Sequence, residues 1–289
     1  LGLPPRFAAD AKFIQIDIDA GAFHRNRPVD LAIQADATQA LNALLAALHD
    51  LHTPEFSRAW LHTGLQPRAE RIAELLGAKS DAIHPLQLGD ELMARLPEDA
   101  QLVGDGADIQ TWMYGVVRVR RPRGFLDHYP MGAMGSGTAL AVGAAAAHRE
   151  VSGAAAPVTV LITGDGAFGF HPAEIHAAVR AQLNLKIIIG NDGAWGTELH
   201  GQKEAIGRTI NTELGVLPYE KVGEAFGAAG FTIDAPEDLA SVLDQAFAHP
   251  GVSVVNVVVD RDAGRELKTN PLVRMIMFSD ILDGQAELS

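Results

Sequence analysis

The chain has 289 residues, with 36 acidic side chains against 23 Lys and Arg, a formal charge of −13 and no cysteine. That acid excess argues against broad binding to nucleic acid or to an anionic membrane, which both need a basic face, and the residues from Arg118 to Arg123 are the one local basic run. The lack of cysteine excludes disulfides, thiolate metal sites and cysteine nucleophiles, and no apolar run approaches the ~20 residues of a membrane helix, so the composition reads as a globular cytoplasmic protein of one large domain or two smaller ones.

The opening Leu1-Gly2-Leu3-Pro4-Pro5 carries no Met, no signal peptide and no helix cap. Soon after it, Phe13-Ile14-Gln15-Ile16-Asp17-Ile18 has the pattern of a buried strand. Such a strand needs neighbours on both sides and nothing upstream supplies them, so the expectation is that earlier segments precede residue 1. Residues 37–49 read as an amphipathic Ala/Leu-rich helix with Asp36 as N-cap. Residues 1–50 therefore look like the end of an α/β domain. Residues 51–83, with Pro54 and Pro67, read as a linker with a helical stretch near 68–77.

A second unit runs over 84–260. A helix at 86–96 leads to a strand at 100–103 that ends in Gly104-Asp105-Gly106-Ala107-Asp108. The stretch Gly132-Ala133-Met134-Gly135-Ser136-Gly137 opens an Ala-rich helix to about 148. A strand at 157–163 then runs into the loop Gly164-Asp165-Gly166-Ala167-Phe168-Gly169, followed by a helix from Pro172. The strand 185–190 ends at Asn191-Asp192-Gly193, and a polar loop extends to about 217. Helices at 219–229 and 236–248 precede the strand 252–259. Apolar β-branched strands alternating with helices predict an α/β fold, a doubly wound parallel sheet covered on both faces. The tail 261–289 has weak periodicity and reads as a lid, an arm or a surface helix.

Ligands of open parallel sheets sit at the carboxyl ends of the strands. Asp165 and Asn191 fall at two such ends, and converging oxygens there suit a hard cation. Mg²⁺ takes one or two protein oxygens and fills its octahedron with phosphate and water, and the Gly193 carbonyl would add a third protein ligand. The helix near Pro172 would aim its N-terminus at the same diphosphate. A dinucleotide reading competes, because Gly164, Gly166 and Gly169 satisfy G-x-G-x-x-G and Asp192 follows at the distance of a ribose-binding acid. Against it, Phe170-His171-Pro172 delays the helix, and Asp165 repels a pyrophosphate unless a cation lies between them. His171, Glu174 and His176 match no zinc spacing. His128 and the arginines at 118, 120, 121 and 123 read as structural and solvated groups.

Gly164-Asp165-Gly166 followed by Asn191 resembles the metal–diphosphate motif of thiamine diphosphate enzymes. Nearly the whole chain is similar to one branch, the acetolactate synthase-like group with benzaldehyde lyase, 2-hydroxyacyl-CoA lyase and oxalyl-CoA decarboxylase. Residues 11–36 look like the end of its central domain and 84–260 like its C-terminal, diphosphate-binding domain. The run Trp195-Gly196-Thr197-Glu198-Leu199-His200-Gly201-Gln202 resembles a benzaldehyde lyase segment. The resemblance implies that Asp165, Asn191 and the Gly193 carbonyl hold Mg²⁺. Gly106, Ala107, Asp108, Gly166 and Ala167 would meet the diphosphate, and Met134 would be the apolar wedge under the bent cofactor. The Gly132 carbonyl would accept from the aminopyrimidine, and Trp195, Thr197 and His200 are the pocket candidates. Asp192 stands where many relatives have a second Asn.

The implied activity is that of a carbon–carbon lyase or carboligase. It would act through ylid attack on a carbonyl of a 2-hydroxy or 2-keto acid, a 2-hydroxy ketone or their CoA thioesters. Decarboxylation of a 2-keto acid or oxalyl-CoA is the alternative. A non-catalytic cofactor-binding half-enzyme and an NAD-binding dehydrogenase stay open as other classes. The resemblance places the catalytic glutamate on an N-terminal pyrimidine-binding domain absent from this chain, in the same polypeptide or a companion chain, and implies a homodimer or homotetramer. It leaves open whether the incomplete central domain takes FAD or ADP/CoA.

Overall fold

The structure, a computed structural model, describes residues 10–25, 27–51, 59–129 and 131–269. The described chain divides into two compact units that meet at Gln66 and Pro67. In the first, β1 (Ile14–Asp17) and β2 (Leu31–Gln34) pair in parallel, with Ile14 opposite Leu31. Helix α1 (Ala37–Ala47) follows, and Asp36 caps it as expected, its carboxylate accepting the Gln39 N–H at 3.1 Å. The first strand is not buried. Among the described residues its sheet has two strands, so β1 has a neighbour on one side only, and Ile14 is 65% exposed. Leu41, Leu44 and Leu45 of α1 are exposed as well. Helix α2 (Ala59–Gly77) continues through Pro67, where the sequence suggested a linker with a shorter helix. No described helix is long and apolar enough to cross a membrane.

After the end of α2, the second unit continues with α3 (Pro85–Arg95), capped by the His84 Nδ1, which accepts the Leu86 N–H. In chain order there follow β3 (Gln101–Gly104), α4 (Asp108–Met113), β4 (Phe125–Leu126), α5 (Gly137–Ser152) and β5 (Thr159–Gly164). Next come α6 (Asp165–Phe168), α7 (Glu174–Arg180), β6 (Leu185–Asn191), α8 (Gly196–Ile206) and α9 (Tyr219–Ala225). The described unit closes with β7 (Ala229–Ile233), α10 (Leu239–Ala248), β8 (Val252–Val258) and α11 (Ala263–Thr269). The strands form one parallel sheet in the order β4-β3-β5-β6-β8-β7.

Side chains of a strand alternate between faces, so one run of apolar residues feeds two cores. Val160, Ile162, Ile188, Val255 and Val257 pack with Leu86, Leu92 and Trp112 on one side. Leu161, Leu185, Ile187, Ile189 and Val254 pack with Ala141, Phe168 and Ile175 on the other. Each such side chain, fully buried, contributes about 1.5–3 kcal/mol. The doubly wound sheet with helices on both faces is as the sequence reads.

Three local expectations are overturned. Helix α8 occupies the start of the expected polar loop, and β7 lies where the helix 219–229 was expected to end. A helical turn, α6, begins at Asp165, inside the glycine motif, so the delayed helix no longer counts against a dinucleotide fingerprint. The next helix starts at Glu174 and has only seven residues. Of the tail, α11 fills the beginning, while 270–289 and any lid they form lie outside the described residues.

Candidate active site

The chain leaves β3 toward β4 on one side and β5 toward β6 on the other, so the sheet has its switch point between β3 and β5. There the two glycine loops meet. Gly106 has φ +87°, and a Cβ on it would stand 3.1 Å from the Gly164 nitrogen, so no other residue fits this crossing without strain. Around the crossing lies a pocket built from the residues that follow β3, β5, β6 and β8, with Met134 of the glycine-rich loop among its walls.

Five carboxylic side chains line this pocket, Asp108, Asp165, Asp192, Glu198 and Asp260, and no Lys, Arg or His. Asp165 is 2% exposed. Its Oδ1 accepts the Gly166 N–H at 2.9 Å, while its Oδ2 is buried with no donor facing it. The Asp192 carboxyl lies within hydrogen-bonding reach. Burial first, and the Asp192 charge second, push the Asp165 carboxyl up to about 7. Burial also raises Asp192, against the pull of the Ala194 N–H at 3.0 Å and of the Arg261 charge. A divalent cation between Asp165 and Asp192 removes that penalty, and an anionic phosphate could enter so acidic a pocket only behind such a cation. Among the described residues no three His, Asp or Glu side chains are arranged to hold a metal by themselves.

At the end of β6 the expected ligands Asn191 and Gly193 are engaged with their own surroundings. Asn191 is fully buried and donates its amide to the Leu217 carbonyl and to Asn256 Oδ1, both at 3.0 Å. Its Oδ1 accepts the Gly193 N–H at 3.1 Å, and the residue does not line the pocket. The Gly193 carbonyl already accepts from the Leu214 and Gly215 amides at 2.8 and 2.9 Å and from Arg261 Nη2 at 3.1 Å. The pocket is lined instead by Asp192 and, two residues on, Ala194. Arg261, unmarked in the sequence, clamps this loop further through its Nε to the Asp192 carbonyl at 2.6 Å.

Gly106, Ala107, Asp108, Gly166 and Ala167 all line the pocket. The amides of Gly106 and Gly166, however, donate to the Asp beside each, at 2.7 and 2.9 Å. Gly132 is exposed, and its carbonyl accepts the Met134 N–H at 3.0 Å. Trp195 lines the pocket but is packed tightly, since a Cβ on Gly166 would stand 2.6 Å from its ring, and Phe170 lies 5.9 Å away between ring centres. Thr197 is in the pocket wall. His200 is not: it is buried, with Nε2 2.9 Å from the Arg261 carbonyl. Glu198 and Asp260 escaped the sequence reading, although Asp260 follows β8 as Asp165 follows β5, which is the signal that could have found it.

Residues 105–257 match the family described as thiamine pyrophosphate enzyme, C-terminal TPP binding domain. The chain belongs to this family. It is 31% identical over 277 residues to a probable acetolactate synthase of Mycobacterium bovis, covering 93% of this chain and 48% of the relative. Oxalyl-CoA decarboxylase of Escherichia coli is 31% identical over 281 residues, covering 92% and 47%. A 2-hydroxyacyl-CoA lyase of Oryza sativa is 26% identical, with 92% and 47% covered. The chain thus spans about half the length of the curated relatives it matches. The expected thiamine diphosphate family and its α/β fold hold, and most residues lining the pocket at the β3/β5 switch point fall within the matched residues 105–257.

Proposed function

We propose that this chain is the diphosphate- and Mg²⁺-binding part of a thiamine diphosphate-dependent enzyme that makes or breaks a carbon–carbon bond beside a carbonyl. The substrate would be a 2-hydroxy or 2-keto acid, a 2-hydroxy ketone or a CoA thioester of one. The observation that carries the reading is the Asp165–Asp192 pair in a pocket of five acids and no base. Asp165 and Asp192 would hold the cation, with the Ala194 backbone beside them, in place of Asn191 and the Gly193 carbonyl. Gly106, Gly164 and Gly166 would line the place of the diphosphate, and Met134 would support the ring system from the glycine-rich loop. Thiamine diphosphate, when bound, would supply the nucleophilic carbon for the chemistry at the substrate carbonyl. Thr197 and Glu198 stand where a substrate can be oriented, and Trp195 keeps that wall apolar. The pyrimidine half of the site and the proton-transferring glutamate would come from a further domain, in the same polypeptide or a companion chain, within a homodimer or homotetramer.

Calorimetry of the intact protein tests this. Thiamine diphosphate should bind with Mg²⁺, fail to bind in a chelator, and fail to bind to Asp165→Ala, while NAD gives no signal. Full binding by Asp165→Ala would overturn the assignment. Decarboxylation is the second reading, favoured by the 31% identity to an oxalyl-CoA decarboxylase. Release of CO₂ rather than an aldehyde from candidate substrates decides between the two.

A further inference from the structure

Asp105 is the acid of the other Gly-Asp-Gly, after β3, and it does not line the pocket. It is 1% exposed, and His128 Nδ1, at 3.8 Å from Oδ1, stands beyond hydrogen-bond distance. Its carboxylate accepts three backbone amides. Oδ1 takes Gly106 N–H at 2.7 Å and Gly135 N–H at 3.0 Å, and Oδ2 takes Gly137 N–H at 2.6 Å. Gly106 belongs to the loop after β3, whereas Gly135 and Gly137 belong to the glycine-rich loop that carries Met134. One side chain therefore ties two walls of the pocket together.

The local sequence is built around this contact. Gly137 is the first residue of α5, and Ser136, in the N-cap position, makes no side-chain cap bond. The free amide at the start of the 16-residue helix is satisfied by Asp105 from 32 residues upstream, and a carboxylate there also suits the positive end of the helix. A Cβ on Gly137 would lie 2.4 Å from the Asp105 Cβ, so glycine is needed for the amide to approach. From the far side, His171 Nδ1 lies 2.8 Å from the Gly135 carbonyl. The loop is held from two directions while Met134 between them faces the pocket.

We propose that Asp105 is a positioning residue that fixes the distance between the Met134 loop and the diphosphate loop, and so sets cofactor affinity without touching the cofactor. This rests on the thiamine diphosphate reading above. The test compares wild-type intact protein with Asp105→Asn, in which an NH₂ group faces at least one of the three N–H donors. Gly137→Ala reaches the same contact from the other partner and carries the test if Asp105→Asn fails to fold by circular dichroism.

Two probes are titrated with Mg²⁺ present, thiamine diphosphate and inorganic pyrophosphate. Pyrophosphate reads the cation site and the diphosphate loops without calling on the Met134 loop, so the variant should lose about 10- to 100-fold in thiamine diphosphate affinity, the usual range for an outer partner of a site, and distinctly less for pyrophosphate. Amide exchange at Gly137 should be slow in the wild type and at least ~10-fold faster in the variant. Equal losses for both probes, unchanged thiamine diphosphate affinity, or unchanged exchange would each overturn the proposal. Should the wild type bind neither probe, the functional reading falls and the cofactor part of this proposal with it, while the exchange data still decide the clamp.

Discussion

Two carboxyl groups facing each other in a pocket without a base are costly unless something positive lies between them. Because burial and Asp192 raise Asp165 to about 7, the metal-free pocket carries a proton that a cation must displace. Above that value the proton is already gone. Below it each pH unit should weaken Mg²⁺ uptake about tenfold, one proton being released per cation bound. Cation titrations from pH 5.5 to 8 check this, and a flat profile would rule out Asp165 as a ligand. Asp165 itself was legible, since an acid after an apolar strand between glycines has few other uses. Which of Asn191 and Asp192 lines the pocket was not, because that choice is one of strand parity. Asn191 ends β6 inside the sheet, bonded to Asn256 of β8, and the next residue faces the pocket. Spacing alone does not tell which side the last strand residue takes.

Parity also explains which elements could be read. Strands β5, β6 and β8 stand out because both their faces are buried and almost every position is apolar. Helix α8 hides because its sequence carries Gly201, many polar groups and no side-chain cap, with only Gly196, Leu199 and His200 buried. Strand β7 hides in Ala-Gly-Phe-Thr-Ile, directly behind a helix with no proline between them. Lys186 is the one charged residue of β6. It is 1% exposed, and its ammonium donates to the carbonyls of His249 and Gly251 at 2.6 and 2.9 Å, at the C-terminal end of α10, where a cation is welcome. Burial pushes its pKa down to about 8 from 10.5. Between those values the unfolded chain binds more protons than the folded one, so stability rises with pH through that window, and the cost of the buried charge is fully present below it. Denaturant unfolding of wild type and Lys186→Met at pH 7.5, 9 and 10.5 should show the wild type gaining relative to the variant. A constant difference would mean that the lysine stays charged throughout.

At the scale of the molecule, the net charge of −13 is compatible with an anionic cofactor because no basic surface is asked to bind it. A cation between Asp165 and Asp192, the narrow glycine crossing at the switch point and the loop held by Asp105 would do so. The two-strand unit ahead of Pro67 keeps apolar side chains such as Ile14 and Leu45 exposed, and the relatives are about twice as long as this chain. Anything that binds only the folded state raises its stability by mass action. At a concentration about 100-fold above Kd the gain is about 2.7 kcal/mol. For a folded unit of this size that corresponds to ~5–10 °C in Tm. Thermal unfolding of the intact protein should therefore rise by that amount with thiamine diphosphate and Mg²⁺ together. It should rise much less with Mg²⁺ alone, because the acidic pocket then lacks the phosphate oxygens that complete the cation's shell. NAD should leave Tm unchanged. A shift with NAD and none with thiamine diphosphate plus Mg²⁺ would return Gly164, Gly166 and Gly169 to the dinucleotide reading, which the early start of α6 leaves geometrically possible.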